Sequence, residues 1–204
     1  MSAESVPVQS EAEKSPRLLV VGCGNPLAGD DSAGVEVVRR LREAGTRGCE
    51  FCLLTADVLP MLERLSSVDV ILLVDAVIRQ STDATPGSLH LVPLSFDRGS
   101  GPLSPDCGIE PRSMSSLSSH GWGLLETLKL ARALGRPIPR VILLGVEIAQ
   151  LNPGARRSPT VERAITVVVE RFSHLQFRLA DAASFLWHAA QHFPPDETSF
   201  PGNM

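Results

Sequence analysis

Two adjacent carboxylates near the start of the chain are the residues best placed for chemistry. Asp30 and Asp31 follow an apolar run at residues 18–21 and a turn made of small residues and one proline. An amphipathic segment at residues 35–41 comes next, so the order predicts a buried strand, a tight turn and a helix that begins at the two acids. One acid is expected to cap that helix, because aspartate is a favoured N-cap residue. The other is then left at the carboxyl end of a strand, where parallel α/β sheets build their sites.

Two further polar residues are expected at the same edge of the sheet. Asp75 follows the most apolar predicted strand, at residues 68–74, and His120 comes just before a predicted helix at residues 121–134. Either residue alone has an ordinary interpretation, as a turn aspartate or a loop histidine. Together with Asp31 they form a half-complete coordination sphere for a borderline divalent metal, with positions left open for substrate. The pattern does not identify the metal.

Other patterns in the chain are weaker candidates. The glycine-rich turn lacks the third glycine of a dinucleotide-binding fingerprint. Cys49 and Cys52 have CxxC spacing but lie inside a predicted strand, where alternation places them on opposite faces and favours a pair of buried thiols. His188 and His192 lie one helical turn apart without a carboxylate or cysteine nearby in sequence, so we interpret them as surface residues. No serine lies in a nucleophile-elbow context.

Composition limits the class of protein. With 204 residues and 43% hydrophobic residues, the chain is expected to fold as one α/β domain over residues 17–192, with a disordered extension at 1–16 and a flexible tail at 193–204. A net charge of -4 argues against nucleic acid or an anionic membrane as the main partner. The N-terminal residues do not have the pattern of a signal peptide, and four irregularly spaced cysteines do not form a disulfide framework. We therefore expect a cytoplasmic monomer with reduced thiols.

The elements alternate between strands and helices, which predicts a mostly parallel sheet covered by helices. The strand after residue 87 follows its neighbour through a short turn, so it is expected to pair antiparallel at an edge. A long connection at residues 96–119 is rich in Gly, Pro and Ser. Strands are predicted at residues 17–21, 50–54, 68–74, 88–92 and 140–146, and helices at 31–44, 58–65, 121–134, 160–177 and 180–191.

An ordered series of motifs resembles the hydrogenase maturation proteases, the endopeptidases that trim the large subunit of NiFe hydrogenases. The opening motif at residues 24–34 is the most specific of them. It is followed by Val74-Asp75-Ala76, by Ser119-His120-Gly121, and by the segments at residues 141–147 and 151–160. Many members carry an Asp-Gly-Gly-Thr-like turn after the second strand. The corresponding stretch here matches poorly, so no role is transferred to it.

The resemblance implies a three-layer α/β/α fold with a twisted, mostly parallel five-stranded sheet. It also implies that Asp31, Asp75 and His120 engage nickel, which is carried by the large-subunit precursor rather than by a resident cofactor; no organic cofactor is expected. The enzyme would then remove a short C-terminal extension from the precursor. Either the nickel is catalytic, or it docks the substrate while Asp31 or Asp30 activates water. A non-cleaving nickel-dependent assembly chaperone and a metal-dependent hydrolase of small substrates remain alternatives.

Overall fold

The structure, a computed structural model, describes residues 17–54, 59–79, 84–94, 109–111, 124–149 and 154–174. The strands are β1 (Leu18–Gly22), β2 (Cys49–Leu53), β3 (Val70–Arg79), β4 (Leu89–Leu94), β5 (Ile109–Pro111) and β6 (Arg140–Glu147). The helices are α1 (Ala33–Glu43), α2 (Leu59–Arg64), α3 (Leu124–Ala133) and α4 (Pro159–His174). None of the helices in these ranges is long and apolar enough to cross a membrane. The predicted extension at 1–16, helix at 180–191 and tail at 193–204 lie outside the described residues.

The main sheet confirms the predicted architecture. Its strand order is β2-β1-β3-β6-β4, in which β4 pairs antiparallel with β6 at one edge and the other neighbours are parallel. The short strand β5, which the sequence did not predict, lies within the long 96–119 connection and pairs antiparallel with the end of β3. The carboxyl ends of β1, β3 and β6 therefore meet at one edge of the sheet.

The central strand β3 is longer than predicted, which corrects the expected place of Asp75. The apolar run was expected to end at residue 74, but β3 continues to Arg79. Its extension is paired throughout, because β6 follows it as far as the Val77–Glu147 pair and β5 pairs with it from Val77 to Arg79. Asp75 therefore lies inside a strand and not in the turn after it.

The core has two halves, one on each face of the sheet. Alternation along β3 turns Leu72, Val74 and Ala76 toward α1 and α4, whereas Leu73 and Val77 face the α2 and α3 side. All five side chains are fully buried. Burial of each large aliphatic side chain stabilises the fold by roughly 1.5–3 kcal/mol, so the two faces together hold the central strands in place.

Gly34, in the first turn of α1, is required by close backbone packing. A Cβ at this position would overlap the carbonyl oxygen of Val74, and it would also lie 2.6 Å from the carbonyl oxygen of Cys23. These are backbone atoms of β3 and of the loop after β1, so they cannot turn away as a flexible side chain could. Glycine therefore lets α1 begin directly against the end of the sheet.

We expect Gly34→Ala to destabilise the protein by about 3 kcal/mol, since overpacking at a rigid site typically costs 1–3 kcal/mol and sometimes more. Gly45→Ala, just past the other end of α1, is the matched control. Its Cβ would meet nothing within 4 Å, and only its positive φ of 67° is strained, so a loss of about 1 kcal/mol is expected there. Urea denaturation measures both, and equal losses would contradict the packing argument.

Candidate active site

The two acids of the opening motif lie in a short 3₁₀ helix, Gly29–Ser32, which we call the acidic turn. It connects the loop after β1 to α1. The expectation that a helix begins at the acids and that one of them caps it is wrong, because α1 begins at Ala33 and no side chain caps either helix. The two carboxylates instead accept hydrogen bonds from backbone amides outside the helix.

Asp30 and Asp31 have different partners. Asp30 Oδ1 accepts a hydrogen bond from the backbone N–H of Ser158 at 2.6 Å, which ties the turn to the loop before α4. Asp31 Oδ2 accepts a bond of 3.1 Å from the backbone N–H of Asn25, within its own loop. Asp30 thus has a structural role across the fold. Asp31 remains half-exposed at the edge of the sheet, where a substrate can reach it.

Asp75 is completely buried on β3. Its neighbours Leu73 and Val77 belong to the core under α2 and α3, so alternation places the Asp75 side chain on that face. Across the sheet it is paired with Gly145 of β6. Because burying a carboxylate in a strand is unfavourable unless it is compensated, Asp75 is an unusual residue at this position.

The structure brings the acidic turn and Asp75 to the same edge of the sheet. The backbone N–H of Cys23 donates to the carbonyl of Val74 at 2.9 Å, which fixes the loop after β1 to the residue before Asp75. The acidic turn itself lies against β3. Asp31 thus lies in the turn after β1, and Asp75 lies on β3 one residue beyond the end of β1, so the two carboxylates belong to neighbouring segments.

His120 lies outside the described residues, so its place in the site stays a prediction. The helix α3 begins soon after it, at Leu124, and leads through a short connection into the amino end of β6. The N-terminus of α3 is therefore directed toward the carboxyl edge of the sheet. Within the described ranges, no group of three or more His, Cys, Asp or Glu side chains is arranged to hold a metal. The predicted ligand set accordingly stays a prediction too.

A network of ion pairs near the acidic turn joins α1, α4 and the loop before α4. Glu36 of α1 is buried to 7% exposure and accepts hydrogen bonds from Arg39 and Arg40. The bond from Arg39, together with Arg40 and the charge of Arg157, lowers the pKa of Glu36 to about 2. Bonds from Arg40 and Arg157 likewise lower the pKa of Glu162 on α4. Both carboxylates are thus ionised and tie α1 to α4.

A buried pair, His90 and Glu147, was missed by sequence reasoning. His90 Nε2 lies 2.6 Å from Glu147 Oε2, and the residues are 3% and 0% exposed. The register places His90, Gly145 and Asp75 in one row across β4, β6 and β3. The signal in the sequence is a histidine inside an apolar strand. Such a histidine needs a buried polar partner, but the sequence does not identify that partner.

The two cysteines of the CxxC pair lie on opposite faces of β2 as predicted, but only Cys52 is buried and Cys49 is half-buried. Cys49 packs with the core on the α1 side of β2 and Cys52 with the core on the other side. Both are free thiols. Burial raises the pKa of Cys49 to about 11 and also raises the pKa of Cys52, so neither is an activated nucleophile.

Comparison with known proteins places this fold. The hydrogenase 2 maturation protease of Escherichia coli is 25% identical over 167 residues, which cover 76% of this chain and 87% of that protein. The hydrogenase expression/formation protein HupD of Thiocapsa roseopersicina is 27% identical over 160 residues, with coverage of 76% and 65%. The solved structure of the hydrogenase-maturating endopeptidase HybD from Escherichia coli aligns with a TM-score of 0.56 at 25% identity, over 79% of this chain and 93% of that one. No family model matches the chain.

The shared architecture defines the class first: this is an α/β protein with the HybD-like sheet, one antiparallel edge strand and helices packed around it. The agreement of sequence then names the group that this chain resembles. In fold and in sequence, over most of its length, the chain is similar to hydrogenase maturation proteases.

Proposed function

We propose that this protein is an endopeptidase that removes a C-terminal extension from the nickel-loaded large-subunit precursor of a NiFe hydrogenase. Its relatives are named as hydrogenase maturation proteases and a maturating endopeptidase. The observation that carries the proposal is that Asp31 lies in the turn after β1 and Asp75 lies on β3 one residue beyond the level at which β1 ends, with Asp30 bonded elsewhere. The nickel is part of the substrate.

The two carboxylates differ in ways that suit different tasks. Asp75 is buried, so a cation that reaches it from the precursor would interact with a weakly screened carboxylate. Asp31 is half-buried rather than buried, so a water molecule can lie against it. We assign Asp75 as a nickel ligand, with His120 as the predicted further ligand, and Asp31 as the group nearest the attacking water.

Peptide hydrolysis needs an activated water and a polarised carbonyl. A divalent ion supplies both when it lowers the pKa of a bound water toward ~7 and draws charge from the carbonyl oxygen. In that route Asp31 is also a ligand. If the nickel only docks the precursor, Asp31 takes the proton from water as a general base, a contribution of roughly 100- to 10,000-fold. Both routes make cleavage depend on nickel insertion without a separate sensor.

Mass spectrometry of the precursor tests the proposal. Nickel-loaded and nickel-free precursors are incubated with a substoichiometric amount of this protein, with the Asp31→Asn variant as the control for contaminating proteases. Loss of a C-terminal peptide is expected only from the loaded form and only with the unsubstituted protein. If the loaded cognate precursor stays intact but forms a one-to-one complex, the assembly-chaperone alternative is correct instead.

A further inference from the structure

The acidic turn is hydrogen-bonded to residues 154–158, the loop before α4, which we call the strap. Two hydrogen bonds join the two segments, and a third joins the strap to the loop just before the turn. They run from Gly154 N to Leu27 O (3.2 Å), from Ser158 N to Asp30 Oδ1 (2.6 Å) and from Arg157 Nη1 to Ser32 Oγ (2.9 Å). Two of the three use backbone donors. The bond to Ser32 depends on the identity of one side chain, Arg157.

Arg157 uses a different nitrogen for each of three elements. Nη1 donates to Ser32 of the acidic turn, Nε lies 2.9 Å from Glu162 of α4, and Nη2 lies 3.5 Å from Glu36 of α1. The planar guanidinium fork presents these donors in fixed directions, which the single ammonium group of lysine cannot do. The side chain is only 26% exposed, and it takes part in a network rather than an isolated surface pair, whose contribution would be small.

The hydrogen bond from Arg157 to Ser32 is followed by a second bond that crosses the acidic turn. Ser32 Oγ accepts from Arg157 and donates to the carbonyl of Gly29 at 2.6 Å, so the bonds span the turn from its last residue to its first. Asp31 lies between these two residues. Loss of the Arg157 bond would therefore release the segment that carries the Asp31 carboxylate.

We propose that Arg157 is a positioning residue, which fixes the acidic turn so that the Asp31 carboxylate keeps its place for cleavage of the precursor. The inference rests on the proposed function for its catalytic part only. Among the described residues, the polar contacts of Arg157 run to Ser32, Glu162 and Glu36 and not to Asp31 or Asp75. Its effect on rate comes through geometry, and a displacement of about 1 Å in a catalytic group can cost about 100-fold in rate.

Arg40 supplies a matched control. It bonds the same two acids, Glu36 and Glu162, and is similarly buried at 24% side-chain exposure. Among the contacts of the described residues, however, its partners are these acids and Thr166, and none of them belongs to the acidic turn. Arg40→Gln thus removes comparable ion pairs and leaves the bond to Ser32 in place.

Hydrogen–deuterium exchange on the free protein tests the positioning directly. In Arg157→Gln, the backbone amides of residues 29–34 should exchange about 10-fold faster than in the unsubstituted protein, because the turn opens locally. In Arg40→Gln they should keep their protection. Equal exchange of this segment in Arg157→Gln and the unsubstituted protein overturns the proposal, whether or not the protein cleaves any precursor.

Cleavage kinetics test the catalytic part. Arg157→Gln should lower kcat about 100-fold with KM within about 2-fold, since the substrate-binding surface is retained. Ser32→Ala removes the acceptor of the same bond, so the double variant should be no slower than the poorer single variant. Additive losses, or an equal loss of kcat in Arg40→Gln, contradict the positioning role. Absence of cleavage by the unsubstituted protein would instead reject the proposed function and leave the exchange result to decide on Arg157.

Discussion

Replacement of Asp75 or Asp31 by asparagine should reduce cleavage of a nickel-loaded precursor by about 1,000-fold, within the range expected for loss of a catalytic carboxylate. Asparagine keeps the size of aspartate and one acceptor oxygen, so the change removes charge with little change in shape. At Asp31 the remaining oxygen can still accept from the backbone N–H of Asn25. The loss of activity should therefore not be accompanied by unfolding.

The adjacent acid provides the control for this experiment. Asp30→Asn also removes one negative charge from the acidic turn, but an amide oxygen can still accept the hydrogen bond from Ser158. We expect this variant to cleave within about 10-fold of the unsubstituted protein, since a retained neutral hydrogen bond loses only about 1 kcal/mol relative to a charged one. An equally inactive Asp30→Asn variant would contradict the assignment of chemistry to Asp31.

The affinity for nickel-loaded and nickel-free precursor tests the role proposed for Asp75 separately from that of Asp31. If Asp75 binds the nickel of the precursor, Asp75→Asn should also weaken the complex with the loaded precursor, whereas the complex with nickel-free precursor should be unaffected. Titration calorimetry with both forms measures this difference. The same loss of affinity for both forms would show that Asp75 supports the binding surface rather than the cation.

The order of elements could be predicted because its causes are local, and the candidate site residues were chosen from that predicted order. Apolar, β-branched runs such as residues 70–74 form buried strands, and their alternation with amphipathic segments specifies a parallel sheet. The rule that sites form at the carboxyl ends of parallel strands then selects Asp31 and Asp75. The place of His120 remains a prediction.

What the sequence could not provide depends on contacts between distant residues. The strand β5 has only three residues, and it is a strand because β3 is available to pair with it. The bond that Asp30 accepts from Ser158 joins residues 128 positions apart. His90 and Glu147 are separated by 57 positions. In each case the partner lies on another element, and no local spacing identifies it.

The second large expected effect is on the free energy of unfolding, and it comes from the buried pair of His90 and Glu147. The bond between His90 Nε2 and Glu147 Oε2 is 2.6 Å long, and within the described part of the chain His90 Nδ1 and Glu147 Oε1 have no other partner. Loss of either side chain would therefore leave a buried polar group uncompensated. We expect His90→Leu and Glu147→Leu each to lower the free energy of unfolding by about 3–5 kcal/mol.

The double variant should behave differently from either single one. With both polar groups replaced by leucine, nothing remains to be compensated, and buried ion pairs exchanged for apolar residues are often neutral or stabilising. We expect the double variant to lie within about 2 kcal/mol of the unsubstituted protein, which gives a large coupling energy in a double-mutant cycle. Urea denaturation of the four proteins measures it.

An exposed ion pair in the same protein is the control for burial. It tests whether the expected loss of stability comes from burial of the pair rather than from pairing itself. Arg17 and Asp69 lie 3.4 Å apart with side chains 48% and 50% exposed. Arg17→Gln should lower stability by less than about 1 kcal/mol, because water replaces the lost partner. If His90→Leu has an effect as small as that, or if the two leucine substitutions are additive, the pair does not hold β4 to β6 by mutual compensation, and the packing of that edge must come from the apolar residues around it.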